Sequence, residues 1–390
     1  MPIALWALAI GAFGIGMTEF IIAGLLAEIA ADFGVSVTAA GYLATFYALG
    51  VFIGAPLVAI LGARAPRKGL MIFLTCVFIA GNLLTAVAPT LGVAVLGRLV
   101  TSLNHGAFFG IGAILAAEMV PPGKRASAIA LMFTGLSVAN LVGVPLGTLL
   151  AQTVSWRATF AVIAAVGVAT LVGIMLLLPK SRAPEGNGMM REISAFTDRH
   201  VLLAMGITVF GSASFFSSIT YIAPMMTGVA GFSDGAIVWL MVLFGVGLFV
   251  GNLLGGRFAD RALMATLYAT LGAQSVVLAT FWLVAPSKAA SALCIFLMAA
   301  LAFATISPIQ KLVMDRAAAA GAPTLASAVN IGMFNLGNAL GAWIGGLVIA
   351  LGFGLTAPNW AGALCALGAL GFAVIAGRTD PGAVAPQPAE

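Results

Sequence analysis

The sequence predicts an all-α polytopic membrane protein: 12 transmembrane helices in two parallel-repeat six-helix halves. Three observations predict it: a scarcity of charge, a series of apolar runs of spanning length, and an internal repeat. Of 390 residues, 62% are hydrophobic and 7% charged, and the mean hydropathy is +1.14. Soluble domains carry about 25% charged residues. So few charges cannot cover a water-facing surface of this size, and lipid must be the solvent for most of it.

A spanning helix needs about 20 mostly apolar residues. Such runs place spans at 4–27, 38–61, 69–88, 91–117, 127–150, 157–179, 202–226, 234–256, 263–285, 289–309, 324–350 and 359–377. One connection is longer than the rest. Residues 181–200 are polar and contain Pro and Gly, which makes them a cytoplasmic linker between an N-terminal half, 1–180, and a C-terminal half, 201–378. Residues 379–390 read as a disordered cytoplasmic tail. The first apolar run begins at once, carries Glu19 and is followed by a second, so it reads as a span and not as a cleaved signal.

Charge sets the orientation. With the N-terminus in the cytoplasm, only Arg157 and Lys288 of the 17 Lys and Arg fall outside, and only Arg98 falls within the membrane. The positive-inside rule then puts both termini in the cytoplasm; the expected location is the cell (bacterial inner) membrane. The same rule accounts for the net charge of +5 without nucleic acid.

The repeat is legible in glycines. Gly50-Val-Phe52-Ile-Gly54 with Arg64 returns as Gly247-Leu-Phe249-Val-Gly251 with Arg261, and Asn140-Leu-Val-Gly143 with Gly147 returns as Asn338-Ala-Leu-Gly341 with Gly345. Copies six helices apart keep one orientation in the membrane. They are therefore related by an axis along its normal, with a substrate site expected near the midplane.

Several function classes find no support. The three cysteines are scattered and the two histidines cannot hold a metal alone. No span carries paired acids or a nucleophile beside a base, and no phosphate-binding Gly-x-x-x-x-Gly-Lys-Ser/Thr occurs. Neither an enzyme nor direct ATP coupling is expected, and no cofactor or metal. A channel would need rings of charge or a carbonyl filter. What remains is a transporter, expected to act as a monomer on a small molecule and protons.

Glu19 is the acid well inside a span. A carboxylate at the bilayer centre costs about 2.5–3.5 kcal/mol, and desolvation favours its neutral form. It reads as a proton carrier, or else as a partner in a packing hydrogen bond or buried ion pair. His105, which titrates near neutrality, lies at a depth that permits contact with Glu19. It reads as a coupling residue or as a neutral packing histidine. Arg98 either pairs with Glu19 or snorkels to the outer interface.

Asn140, Asn330, Asn335 and Asn338 suit hydroxyl- or amide-bearing substrates, or else join helices. Met17, Phe46, Phe215, Phe216, Tyr221 and Met225 are candidates for an apolar pocket, though such residues more often meet lipid or core. Arg64, Arg67, Lys68, Glu118, Asp260 and Arg261 cluster at cytoplasmic helix ends, where salt bridges could gate access. Gly143, Pro145 and Gly147, with Gly135, give the fifth span a thin, bendable face.

These residues together resemble the major facilitator superfamily over essentially the whole chain. Its loop signature, Gly-x-Leu-x-Asp-Arg-x-Gly-Arg-Arg, is similar to Ala59-Ile-Leu61-Gly-Ala63-Arg64-Ala-Pro66-Arg67-Lys68. Ala63 replaces the acid and Pro66 the glycine, whereas the second copy, Gly256-Arg-Phe-Ala-Asp260-Arg261, keeps the acid. Thr18-Glu19-Phe20, Arg98 with His105-Gly106, Gly143-Val-Pro145-Leu-Gly147 and Trp156-Arg157-Ala-Thr-Phe160 look like the drug:proton antiporter branch, within it most like the bacterial sugar-efflux and arabinose-efflux permeases. The resemblance implies the major facilitator fold, alternating access, proton-coupled export and a Glu19/His105 coupling pair. It also implies that the glycine motif of the fifth span seals the interface between halves. Import or uniport on the same fold is the alternative.

Overall fold

The computed structural model describes residues 2–62, 65–121, 125–179, 198–319 and 325–379. Arg64, the side chain of Asp260, most of the 181–200 linker and residues 380–390 of the tail lie outside the described residues. Everything described is helix or short connection. In lipid this is expected, because a helix satisfies the backbone polar groups of a spanning segment within the segment itself.

In the first half the helices are α1 (Ala4–Phe20), α2 (Ile22–Phe33), α3 (Val37–Leu61), α4 (Arg67–Ala86), α5 (Leu91–Glu118), α6 (Arg125–Val138), α7 (Val144–Thr153) and α8 (Trp156–Leu177). A π-helical turn, Ala139–Gly143, joins α6 to α7. In the second half they are α9 (Arg199–Ile219), α10 (Ile222–Gly228), α11 (Asp234–Arg261), α12 (Leu263–Val284), α13 (Lys288–Ala319), α14 (Leu325–Val348) and α15 (Ala357–Thr379). Eleven described helices are long and apolar enough to cross a membrane, and twelve when α1 and α2, bent by 53°, count as one broken span. The chain forms two compact units, Met1–Gly186 with Asp234–Val242, and Asn187–Ser233 with Leu243–Glu390.

Two boundaries differ most from expectation. The first span runs on to Phe33 after its bend, so Glu28 lies within it as well as Glu19. The tenth span is extended by two turns and more, to Ala319, which lifts Lys311 and Arg316 from a loop onto a helix. Charged residues can continue a helix past the apolar layer, so an apolar run marks the lipid and not the end of the helix.

Close approach holds each half together. A Cβ on Gly54 would lie 2.9 Å from Leu103 Cδ2 on α5, and one on Gly251 2.0 Å from Ala300 O on α13. Gly50 meets Ser102 and Leu99, while Gly247 meets Ala299 and Phe296. The partners keep the same spacing as the glycines, so the repeat is one of contacts as well as of sequence. The first and seventh spans share a second device. Each is interrupted past its middle, at Ile21 and at Thr220–Tyr221. Beside these breaks Gly147 packs on Ile21 and Met17, and Gly345 packs on Tyr221 and Ser217.

Candidate functional site

The bend of the first span positions the site. Thr18 and Glu19 occupy the last turn of α1, immediately before the break at Ile21. Glu19 Oε2 lies 4.0 Å from His105 Nε2, with side chains only 11% and 8% exposed. His105 Nδ1 lies 3.1 Å from Tyr47 Oη on α3, and Phe109 closes the His105 ring edge-on at 5.4 Å.

Arg98 completes the cluster. It is 0% exposed, which rules out snorkelling. Its Nη1 donates to Thr18 Oγ1 (2.8 Å) and its Nε to Leu43 O (3.3 Å). The guanidinium lies 4.0 Å over the Tyr47 ring. Thr18 Oγ1 donates onward to Asn82 Oδ1 (2.9 Å), and Asn82 Nδ2 to Phe78 O (2.9 Å). An arginine buried without a partner would be prohibitive. Here a hydroxyl, a carbonyl and an aromatic face share the cation. Four spans thus converge on one polar cluster in an apolar bundle. It can hold or release a proton at Glu19 while keeping a fixed positive charge beside it.

Glu19, His105 and Arg98 are brought together. The sequence reasoning missed Tyr47 and Asn82, and named Thr18 only within the motif Thr18-Glu19-Phe20; these three connect them. A signal was available. At the repeat spacing, Tyr47, Arg98 and His105 correspond to Phe244, Ile295 and Ala302, and the bends align Glu19 with Ile219. Positions polar in one half and apolar in the other mark the site.

Other candidates lie elsewhere. Gly143 faces Met17 and Phe13, Gly147 faces Met17, Ile21 and Thr159, and Gly135 sits against the Ala9 carbonyl. These glycines admit the first span of their own half. Pro145 begins α7 just after the π-turn and is buried. Asn140 Nδ2 donates to Leu136 O, one turn back. Asn330 accepts from Thr208 and donates to Gln310 Oε1 (2.7 Å), while Asn335 Nδ2 donates to Ile331 O.

In the second half Phe215 is buried, stacked on Phe244 and edge-on to Phe216 and Phe303. Tyr221 Oη donates to Ala342 O, and Met225 Sδ accepts from Asn359. Asn338 is also buried. Phe215, Tyr221 and Met225 thus join helices of the second half, whereas Phe46 is exposed beside Tyr42. At the start of α4 Arg67 pairs with Glu118 at the end of α5. Lys68 donates to the Met175 and Leu178 carbonyls, capping α8. Arg261 is exposed at the end of α11.

A bundle of this length and repeat, with a buried titratable cluster, defines a multi-pass membrane transporter and not an enzyme. The model of the Major Facilitator Superfamily matches residues 8–342, and the chain belongs to that family. It is 42% identical over 377 residues to the inner membrane transport protein YdhP of Escherichia coli (strain K12), covering 97% of this chain and 96% of that one. It is 34% identical over 372 residues to a chloramphenicol resistance protein of Streptomyces lividans, covering 93% of each. A crystal structure of a bacterial homologue of the human lysosomal transporter Spinster matches the fold with a TM-score of 0.75 at 17% identity, covering 99% of this chain and 98% of that one.

Proposed function

We propose that the protein is a proton-coupled exporter of small molecules, with Glu19 as its proton carrier and both termini in the cytoplasm. The observation that carries this reading is the Glu19–His105–Arg98 cluster at the bend of the first span. An acid two residues before a helix break supports this reading, because a change of shape there would alter what Glu19 touches. A proton entering from outside neutralises Glu19, and the substrate leaves as the transporter alternates access. Each charge moving through about 100 mV supplies about 2.3 kcal/mol, enough for about a 50-fold gradient before any pH contribution. The relative named for chloramphenicol resistance supports export of a drug-like molecule. Sugars and metabolites belong to the same broad substrate class.

The test uses proteoliposomes and labelled chloramphenicol, with a panel of sugars and cationic drugs in parallel. With the outward-extrusion direction facing the lumen, an imposed proton gradient should drive accumulation by the parent protein. Glu19→Gln should retain equilibrative exchange and lose accumulation. Undiminished accumulation in that variant would remove Glu19 from the mechanism.

A further inference from the structure

Tyr47 and His105 share one short polar contact, 3.1 Å from hydroxyl to Nδ1, and both side chains are buried. Between them a phenol and a neutral imidazole hold two hydrogens, which leaves two arrangements. In one, His105 carries its hydrogen on Nδ1 and donates to Tyr47 Oη. The phenolic hydrogen then has no acceptor, because among the described residues the hydroxyl's one hydrogen-bond partner is that nitrogen. A buried donor left unpaired is costly. In the other, Tyr47 donates to a bare Nδ1 and His105 carries its hydrogen on Nε2. That nitrogen faces Glu19 Oε2 at 4.0 Å, and an ionised carboxylate only accepts. This second arrangement alone makes the Tyr47–His105 bond and turns the remaining hydrogen toward a carboxylate, which at 4.0 Å lies beyond hydrogen-bond length but attracts it electrostatically. The Arg98 guanidinium, 4.0 Å over the Tyr47 ring, reinforces it by drawing electron density from the phenol.

We propose that Tyr47 is a positioning residue: its hydroxyl fixes His105 in the tautomer with hydrogen on Nε2 and so aims a donor at Glu19. The hydrogen bond made by one ring nitrogen decides the state of the other. The groups facing His105 are Glu19 from α1, Tyr47 from α3 and Arg98 from its own helix. This role rests on the reading of Glu19 as the proton carrier. It explains what receives the carboxylate when its proton leaves: an N–H already directed at it.

The chain has two histidines, so His200→Asn leaves His105 as the sole imidazole. Histidine-labelled protein in lipid bilayers at about pH 9, where carboxyls normally ionise, reports the tautomer by nitrogen magnetic resonance. A protonated Nε2 and a bare Nδ1 are expected. Adding Tyr47→Phe, which keeps the ring, should reduce that preference about five- to tenfold, the weight of one hydrogen bond. A hydrogen on Nδ1 in the His200→Asn protein overturns the proposal, and that measurement needs no change at Tyr47. An unchanged tautomer ratio in the Tyr47→Phe protein overturns it too. Neither result depends on transport, so failure of the Glu19→Gln experiment would be seen separately.

Discussion

Arg98 is the residue on which the cluster turns. Its charge is held by Thr18, by the Leu43 carbonyl and by the Tyr47 face, on three different sides. A lysine ammonium is a compact point charge without the planar fork that makes these contacts together. Arg98→Lys should therefore lower stability by about 1–3 kcal/mol through lost hydrogen bonds to a charged group. The readout is a depressed thermal midpoint of the purified protein in detergent. A midpoint equal to that of the parent would mean that the fork is not needed. Thr18→Val tests the same bond from the other side, since it keeps the shape and leaves Asn82 Oδ1 and Arg98 Nη1 short of a partner. It should destabilise by about 1–3 kcal/mol.

At the scale of elements, glycines decide how closely helices pack, and equivalent positions in the two halves are not equally strict. A Cβ at Gly251 meets backbone, the Ala300 carbonyl, which cannot turn aside. At Gly54 it meets the end of the Leu103 side chain, which can change rotamer. Gly251→Ala should cost about 1–3 kcal/mol as overpacking and Gly54→Ala less, compared as thermal midpoints of the two variants. Equal midpoints would contradict the packing described for α11 on α13. The Arg67–Glu118 pair is a different case. It is partly exposed, and such pairs contribute about 0–1 kcal/mol. Glu118→Gln should leave the midpoint nearly unchanged, so a gating role for this pair would appear in transport rates instead.

For the whole molecule, the repeat and the chemistry part company. The second half repeats the glycine contacts and the interrupted leading span of the first, yet carries Ile219, Phe244, Ile295 and Ala302 where the first has Glu19, Tyr47, Arg98 and His105. Proton handling is thus proposed to belong to one half, with the second built as its apolar counterpart. Orientation has its own test. In a variant without native cysteines, a membrane-impermeant thiol reagent applied to whole cells should label Ser287→Cys, beside Lys288. It should label Thr379→Cys only after lysis. The reverse pattern would invert the topology argued from the Lys and Arg distribution.

By itself the sequence determined the class, the number of spans and the repeat. Each depends on a property that is local in the chain: twenty apolar residues fit a bilayer whatever they pack against, and glycines at fixed spacing survive duplication. It also singled out Glu19, because one acid in an apolar run is conspicuous without any partner. Only the tertiary structure decided what Glu19 is with. Tyr47 and Asn82 look like ordinary members of apolar runs until α1, α3, α4 and α5 converge on Thr18, Glu19, Arg98 and His105. The same holds for Asn330 and Tyr221, which the structure engages with Gln310 and the Ala342 carbonyl of their own half. A buried polar group is defined by its partners, and those partners come from other helices, at distances along the chain that no local pattern records.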